Sequence, residues 1–353
     1  MWYLIPFREI NLSSHPTIKD VAKKAGVSIT TVSFVLNNRP DVVISEEVKK
    51  RVIKIAKEMD YHPSAMAAGL AGKRTRNLGV VFYQEDNIIS NQFYSFVIEG
   101  IVKETVEKGF NIFFTYLVAP YDGYQSLPKI VREKNVDGVI VIWHTDPKMV
   151  GDIKDRRIPV VAIDNYPALK GIDTIQVDNK QGAITAVEHL IQLGHKQIGI
   201  LTIAGDRPSI DEREEGWKAA HFKNNLPLNK ELIFQSESLT FQGGYEKAKE
   251  VLRKNKKITA LFCVNDEMAA GALRAAREVG RQVPQDLSVV GFDNITMSNY
   301  TDPPLTTVSA AKEYMGKLAV TRVLEMIENK DTPARRQEVP VELIVRNSTA
   351  KAS

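Results

Sequence analysis

The strongest constraint on the fold is an alternation of short β-rich runs and amphipathic helical patterns that begins at Asn77. Strands separated by helices form βαβ units, and successive units build a parallel sheet. The β-rich runs form two series of about five: 78–83, 112–116, 138–142, 160–163 and 175–177, then 198–203, 232–235, 260–264, 287–292 and 341–345. Helical patterns lie between them at 93–108, 181–193, 212–224, 245–253, 267–279 and 312–328. We therefore expect two doubly wound parallel-sheet lobes with a cleft between them.

The first 60 residues follow a different pattern, with three short helical signals and no β-rich run between them. One helix starts at Thr17, a second covers 28–37 after a turn at Gly26, and a third covers 46–59 behind the serine cap Ser45. Two helices joined by a glycine turn, with a third behind them, predict a small all-α helix-turn-helix head. A plain pair of packed helices is the alternative.

The charge of the chain is unevenly distributed. The whole sequence of 353 residues carries +4, but residues 15–76 hold twelve Lys and Arg against six Asp and Glu, a net charge of +6. The part from residue 77 onward carries −2. A basic head on a near-neutral body favours nucleic-acid binding. A lysine-rich helix face that is simply solvated would give the same excess.

Several classes of protein are disfavoured by what the sequence lacks. No apolar stretch approaches the ~18 residues that span a bilayer, and the start resembles no secretory signal. The single cysteine, Cys263, excludes a disulfide framework and a cysteine-based zinc site. No phosphate-loop, zinc-protease or nucleophile-elbow motif occurs, so we expect no catalytic residues, no metal, no cofactor and no membrane partner. These features predict a cytoplasmic protein that is not an enzyme.

A specific resemblance begins at Thr17. The run Thr-Ile-Lys-Asp-Val-Ala-Lys-Lys-Ala-Gly-Val-Ser-Ile-Thr-Thr-Val-Ser-Phe-Val-Leu-Asn at 17–37 is similar to the signature head of the lactose-repressor/galactose-repressor (LacI/GalR) family. Further patterns of that family follow in order at 61–64, 189–195, 265–271, 290–294, 304–308 and 344–349. The resemblance covers residues 16–350. It implies a DNA-binding transcriptional regulator whose body resembles a periplasmic sugar-binding protein.

The resemblance also implies a division of the chain. Residues 1–14 precede the family's usual start, 15–62 form the helix-turn-helix domain, and 63–76 form a hinge helix or linker. Residues 77–353 form the domain for effector binding and dimerisation. Its N-lobe is expected at about 77–178 plus 309–340, and its C-lobe at about 179–308 plus 341–350.

The head residues expected to contact DNA lie mainly on and around the second helix. By the resemblance, Ile29, Thr30 and Phe34 read bases, whereas hydroxyl side chains suit phosphate contacts. Phe34 departs from the polar residue of many relatives; it can touch a thymine methyl group, or it packs against the first helix. The full set is Thr17, Ser28, Ile29, Thr30, Thr31, Ser33, Phe34, Asn37 and, in the hinge, Leu70.

The hinge residue Leu70 matches the family's leucine that wedges into the minor groove. Relatives place Arg-Ser before this leucine, but here Ala68 and Gly69 precede it. The glycine lowers helix propensity by ~1 kcal/mol, so weaker coupling through the hinge is expected. A flexible linker that makes no DNA contact is the alternative.

The effector residues implied by the resemblance lie near the carboxyl ends of the predicted strands, where open α/β sheets bind ligands. They are Asn91, Phe93, Tyr94, Asp164, Arg213, Asn265, Asp266 and Asp293. Each acid could instead be a helix cap or a surface charge. Leu239 stands where relatives often place an aromatic that stacks on a sugar; Phe241 and Trp143 are possible substitutes or core residues.

Together these observations predict a LacI-family regulator, in particular a repressor, that binds a pseudo-palindromic DNA operator as a homodimer. A small effector, expected to be a sugar, controls it from the cleft between the lobes; because Leu239 replaces the family's stacking aromatic, a non-sugar effector is the alternative. A transport-type solute-binding protein, or an enzyme that processes small molecules behind a fused DNA-binding head, is the alternative.

Overall fold

The computed structural model describes residues 16–36, 42–61, 74–83, 88–118, 120–144, 146–166, 171–205, 207–329 and 332–352. The side chains of residues 144, 165 and 166 are not described. The chain divides into two compact units, Met1–Thr75 and Arg76–Ser353. Each unit is described by itself below.

The described part of the first unit is a three-helix bundle. Its helices are α1 (Ile18–Ala25), α2 (Ile29–Leu36) and α3 (Glu46–Glu58). Small and β-branched side chains from all three helices meet in one core made of Val21, Ala22, Ala25, Val32, Val35, Val52 and Ala56. The three helices lie where the sequence predicts them, to within two residues at each described end.

The first lobe of the second unit is built mainly from residues 77–177. Its elements are β1 (Asn77–Tyr83), α4 (Gln92–Glu107), β2 (Asn111–Leu117), α5 (Lys129–Arg132), β3 (Gly138–His144), α6 (Pro147–Lys154), β4 (Val160–Tyr166) and β5 (Asp173–Val177). Two later elements return to this lobe, namely α11 (Lys312–Glu328) and β11 (Arg336–Val339). The sheet has the order β11-β5-β4-β3-β1-β2.

The second lobe follows the same plan. Its elements are α7 (Asn179–Gln192), β6 (Ile198–Ile203), α8 (Pro208–Lys223), β7 (Ile233–Ser236), α9 (Phe241–Lys254), β8 (Ala260–Cys263), α10 (Asp266–Glu278), β9 (Ser288–Phe292), β10 (Thr306–Ala310) and β12 (Val341–Ile344). Its sheet has the order β12-β10-β9-β8-β6-β7. The predicted fold class is therefore confirmed, and the described residues form six strands in each sheet rather than about five.

Two strands and two short helices were missed by the sequence prediction, and one strand direction differs from it. β10 is a buried Thr- and Ser-containing run, and β11 is a polar strand at a sheet edge, so neither shows the apolar pattern of a buried parallel strand. The helices α5 and α6 are only four and eight residues long. β12 pairs with β10 in the antiparallel direction, because the chain enters the second sheet directly after Pro340.

The chain crosses between the two lobes three times. It passes from β5 into α7 at Asp178, from β10 into α11 at Ala311, and from β11 into β12 at Pro340. Because three neighbouring crossings connect the lobes, a change in the angle between the lobes requires coordinated backbone rotation at all three points.

Glycine lets two helices of the first lobe approach closely. A Cβ atom on Gly100 of α4 would lie 2.0 Å from the carbonyl oxygen of Glu313 on α11. A Cβ on Gly316 would lie 2.1 Å from the carbonyl oxygen of Val97. These contacts hold α11 against α4, and they fix the position at which the chain re-enters the first lobe.

Candidate functional site

The turn between α1 and α2 is shaped by Gly26. Its φ of +66° lies in the left-handed region that favours glycine, and the turn closes with bonds to the carbonyls of Ala22 and Lys23. At the other end of α1, the carboxylate of Asp20 accepts hydrogen bonds from the backbone N–H and the hydroxyl of Thr17, at 2.8 and 2.7 Å. Local hydrogen bonds therefore fix both ends of α1, and the shared core packs α1 against α2.

The N-terminal end of α2 is exposed to solvent. Ser28 accepts a hydrogen bond from the Thr31 N–H at 3.0 Å and so caps the helix. Ile29 and Thr30 are exposed, Ile29 by 44%. Thr31, Ser33 and Phe34 are half-buried. Asn37 and Leu70 lie outside the described residues.

In the second unit, a cavity of about 520 Å³ lies between the two lobes. Its first-lobe wall comes from the segment after β1 and from the last residues of β3 and β4, and its second-lobe wall from the segments after β6, β7, β8 and β9. The lining residues are Ile88, Ser90, Asn91, Phe93, Tyr94, Trp143, Asp164, Arg207, Ser209, Ile210, Arg213, Leu239, Thr240, Asn265, Glu267 and Asp293. The cavity therefore lies at the carboxyl ends of the strands of both sheets, as the fold class predicts.

Arg213, on α8, is a buried cation on the second-lobe wall. It is 6% exposed, and its Nη2 lies 3.1 Å from Oδ1 of Asp293. Its Nε donates to Oδ1 of Asn179 at 2.9 Å, and its Nη1 donates to the carbonyl of Val264 at 2.5 Å. Its guanidinium carbon lies 3.7 Å from the centroid of the Phe292 ring. These contacts hold the guanidinium in one orientation before any ligand arrives.

The first-lobe wall is aromatic with one carboxylate. Rings of Phe93 and Tyr94 meet edge to face at a centroid distance of 5.1 Å, and Tyr94 and Trp143 meet at 5.8 Å. The Tyr94 hydroxyl donates to Oδ2 of Asp164 at 2.6 Å. Asn91 caps α4 by accepting from the N–H groups of Phe93 and Tyr94. The wall therefore combines apolar ring surface with hydrogen-bond acceptors, a combination that suits a ring-shaped polar ligand.

Burial changes the acidity of the cleft carboxyls. It raises the pKa of Asp164, although the Tyr94 hydroxyl and the charge of Arg213 oppose the rise. It also raises the pKa of Asp293, against the charges of Arg213 and Lys312. The pKa of Glu267 is raised by burial as well. Such carboxyls lose much of their hydration on burial, so they are strong acceptors for hydroxyl groups of a ligand.

Three cleft residues that are not glycine have a left-handed backbone at the end of a strand. The φ values are +67° at Trp143, +50° at Asp164 and +102° at Asp293. Such conformations cost of order 1–3 kcal/mol each and cluster at binding sites, where they direct a side chain into the site. Sequence patterns contain no signal for this backbone feature.

The structure brings together seven of the eight expected effector residues and places the eighth elsewhere. Asp266 is 1% exposed and does not line the cavity. Its carboxyl accepts from the Thr307 hydroxyl at 2.5 Å and the Ile295 N–H at 2.8 Å. The expectation that Asp266 faces the effector is therefore wrong. Asp266 is the first residue of α10, and its side chain points into the lobe instead of into the cavity. The adjacent Asn265, which caps α10, does line the cavity.

Several lining residues were not among the expected effector residues. Trp143 lines the cavity together with Leu239, whereas Phe241 does not. Arg207 lies over the Trp143 ring, with its guanidinium carbon 5.9 Å from the centroid. The others are Ile88, Ser90, Ser209, Ile210, Thr240 and Glu267. Most of these residues follow the end of a strand or begin a helix. Their closeness to a predicted strand end is the one sequence signal that could have identified them as lining residues.

Within the described ranges, no group of three or more His, Cys, Asp or Glu side chains is arranged to hold a metal ion. No helix in the same part of the chain is both long enough and apolar enough to cross a bilayer.

A helix-turn-helix unit followed by a two-lobed α/β body with a polar cleft defines a class of protein, the ligand-responsive DNA-binding regulators. Comparison with known proteins agrees in both parts. Residues 17–64 match the model of bacterial regulatory proteins of the lacI family, and residues 187–349 match a periplasmic binding protein-like domain.

Among relatives, the HTH-type transcriptional repressor PurR of Aliivibrio fischeri (strain ATCC 700601 / ES114) is 34% identical over 338 residues, which cover 95% of this chain and 98% of the relative. A lac repressor dimer bound to operator and the anti-inducer ONPF aligns with a TM-score of 0.80 and 27% identity, over 95% of this chain and 99% of the other. A complex of the transcriptional regulator CelR with cellobiose aligns with a TM-score of 0.71 and 26% identity, over 94% of this chain and 99% of the other.

The chain belongs to the LacI family. It is a LacI-family transcriptional repressor and not an enzyme, since its relatives are repressors.

Proposed function

We propose that this repressor binds a pseudo-palindromic operator as a homodimer and is controlled by a small polar effector in the cleft, which is a sugar. The observation that carries the proposal is the cavity between the lobes, where Arg213 and Asp293 face Tyr94 and Asp164. A ligand in this cavity contacts both lobes at once. It therefore binds one angle between the lobes more tightly than another, which is the requirement for shifting a conformational equilibrium.

The chemistry of the cleft supports a polyhydroxyl ligand. Acceptors outnumber fixed cations, with Asp164, Glu267 and Asp293 on the walls, and ligand hydroxyls can donate to each. Arg213 supplies donors for ring or hydroxyl oxygens. Trp143, which lines the cavity, supplies an aromatic ring against which the ring of a sugar can pack. The similarity to a regulator described in complex with cellobiose supports the same class.

The test is a thermal-shift screen of the purified full chain against D-ribose, D-glucose, cellobiose, adenine, hypoxanthine and adenosine. A ligand that binds only the folded state raises the melting temperature, by an amount equivalent to about 2.7 kcal/mol at 100 times its Kd. We expect a shift with a sugar that is lost in Asp293→Asn and retained in Glu215→Gln, an exposed control on the outer face of α8. A shift with a nucleobase or nucleoside alone would contradict the sugar proposal.

For DNA binding, the exposed N-terminal end of α2 enters the major groove, and two heads contact two half-sites. Ile29 and Thr30 lie at base edges, with Phe34 beside a thymine methyl group. Hydroxyl groups around the helix, including Thr17, Ser28, Thr31 and Ser33, bind phosphates. Asn37 and the hinge residue Leu70 complete the proposed DNA-binding set. A repressor of this kind acts at the chromosome, which in a bacterium places it in the cytoplasm.

The homodimer is supported by an exposed aromatic surface on β2. This strand lies at an edge of the first sheet, and Phe113, Phe114 and Tyr116 are 42%, 43% and 52% exposed. An apolar edge strand normally needs a cover, and an isologous contact with a second copy provides one. The structural relative described as a lac repressor dimer on operator has the same fold.

Sedimentation measures the oligomeric state directly. We expect a dimer for the wild type and a monomer for Phe114→Lys combined with Tyr116→Lys. Monomeric wild-type protein would contradict the dimer, and failure of the dimer to retard any duplex from a random pool would contradict operator binding.

A further inference from the structure

One hydrogen-bonded network connects the cleft to the crossings between the lobes. It begins at the cleft arginine, whose Nε donates to Oδ1 of Asn179 at 2.9 Å. Asn179 is the first residue of α7, directly after the crossing at Asp178, and it is 2% exposed. Its amide is therefore fixed between the binding site and the first crossing.

The network then leaves the second lobe. The Nδ2 of Asn179 donates to Oε2 of Glu212 on α8 at 3.1 Å. The other carboxylate oxygen of Glu212 accepts from Nη2 of Arg336 at 3.0 Å. Arg336 begins β11, which pairs with β5 in the first sheet and leads to the crossing at Pro340. The Glu212–Arg336 ion pair therefore joins the two lobes, and neither residue lines the cavity.

The remaining crossing is connected to the same cleft pair from the other side. Lys312 begins α11, immediately after the crossing at Ala311, and it is 7% exposed. Its Nζ donates to the carbonyl of Asp293 and, at 3.2 Å, to the carbonyl of Asn294. All three crossings thus have a polar connection that ends at Arg213 or Asp293.

We infer that Glu212 and Arg336 are positioning residues that set the angle between the lobes and that Asn179 transmits to them the state of the cleft arginine. This inference rests on the proposed function, because it assigns the transmission of the effector signal to named side chains. The pair is of a suitable strength for a switch. Its side chains are 28% and 47% exposed, and a partly exposed pair shifts an equilibrium by up to about fivefold. A stronger connection would lock one angle.

The chain offers a matched control for the test. Arg336 also donates, from Nε, to Oε1 of Glu338 at 3.1 Å. Glu338 lies two residues further along β11, so this second pair stays within one lobe. Glu338→Gln removes an ion pair from the same arginine with the same chemical change, but it removes no connection between the lobes.

The angle between the lobes can be followed by single-molecule energy transfer. Dyes are placed on Lys148→Cys at the start of α6 and Glu237→Cys after β7, two exposed positions on different lobes. The native Cys263 is buried and its pKa is raised by burial, so it does not react with the dyes. The labelled full chain needs neither effector nor operator for this measurement.

We expect Glu212→Gln and Arg336→Gln to move the mean transfer efficiency by the same amount, and Glu338→Gln to leave it at the wild-type value. Arg336→Lys, which keeps the charge, should restore most of the wild-type value. Asn179→Ala should give the same shift as Glu212→Gln, with no further shift in the double variant.

Wild-type efficiency in both Glu212→Gln and Arg336→Gln would overturn the inference, as would an equal shift in Glu338→Gln. Additive shifts for Asn179→Ala and Glu212→Gln would overturn the transmission through Asn179. Failure of the proposed function would be seen in a different experiment. A wild-type protein that selects no duplex from a random pool would contradict operator binding, whatever transfer efficiencies the variants show.

Discussion

Arg213 and Asp293 form an ion pair at 3.1 Å on the wall of the cleft, with side chains that are 7% and 13% exposed. The arginine lies on a helix, whereas the aspartate follows β9 with a left-handed backbone. A ligand that contacts the pair therefore acts on two elements of the second lobe. Because the network reaches all three crossings from this pair, we expect a change at the pair to alter the angle between the lobes.

Breaking this pair should destabilise the fold as well as weaken effector binding. In Asp293→Asn the buried guanidinium loses its counter-charge, and removing one partner of a buried ion pair costs about 3–5 kcal/mol. We expect a loss of about 3 kcal/mol in the free energy of unfolding by urea, because Asn179 and Val264 still accept from Arg213. Glu215→Gln, which removes the exposed ion pair with Lys180, should change the free energy of unfolding by less than about 1 kcal/mol. Equal effects of the two variants would contradict the assigned role of the buried pair.

A second prediction concerns pH and Asp266. Burial, together with the nearby charge of Asp293, raises the pKa of this carboxyl to about 8, although Thr307, the Ile295 N–H and Lys312 lower it. Between about pH 4 and pH 8 the folded chain keeps the carboxyl protonated, whereas the unfolded chain ionises it. This group therefore stabilises the fold below the unfolded pKa, and its contribution is lost as the pH rises through the folded pKa, by up to about 1.4 kcal/mol per pH unit.

Asp266→Asn isolates that contribution, because the amide cannot ionise and has nearly the shape of the protonated acid. The difference in the free energy of unfolding, wild type minus variant, should fall from pH 5 to pH 8 and then become constant. Urea unfolding at four pH values measures it. A difference that is constant over this range would show that Asp266 is ionised in the folded protein.

The approach of α4 and α11 gives a third prediction. Gly100→Ala puts a Cβ 2.0 Å from a backbone oxygen, and backbone cannot yield as a side-chain end can, so the helices must separate. We expect a loss of at least about 2 kcal/mol in the free energy of unfolding. Gly151→Ala on α6 meets no atom within 4 Å and should be neutral or stabilising by up to ~1 kcal/mol. Two variants of equal stability would contradict the close contact.

The accuracy with which the sequence predicts the helices and strands differs between elements. Helices such as α3 and α11 show clear apolar periodicity, and β6 is a mostly apolar run that is buried throughout, so their bounds are matched to within one residue. The polar edge strand β11 has no such pattern, because only one of its four residues is fully buried. Its place in the first sheet depends on pairing with β5, which lies 162 residues earlier in the chain, and this pairing is a purely tertiary relationship.

The sequence predicts part of the candidate site in the same way. Arg213 and Asp293 lie at positions that the family resemblance marks, and the structure places them together. Trp143 lines the cavity from a left-handed backbone position near the end of β3, and Glu212 and Arg336 meet only when both lobes are folded. Local sequence contains no information on either relationship, since each depends on contacts between distant segments.

A fourth prediction concerns base recognition by the head. Phe34 is half-buried on α2, and it has no side-chain donor to offer to guanine. Phe34→Arg should therefore change which operator sequences are selected from a random duplex pool, with preference moving toward guanine at one position of each half-site. Overall affinity for the best sequence should change less than the preference does. An equal loss of affinity on every sequence would instead assign Phe34 to packing.

The central claim is that the cleft and the head are coupled, and reciprocal titration tests it most directly. The affinity of the selected operator is measured by fluorescence anisotropy with and without the compound that gives the largest thermal shift. The affinity of the compound is then measured by calorimetry with and without saturating operator. We predict that both ratios differ from one and are equal, because coupling free energy is the same from either side. A compound that binds with the same affinity in the presence and absence of operator would contradict the account.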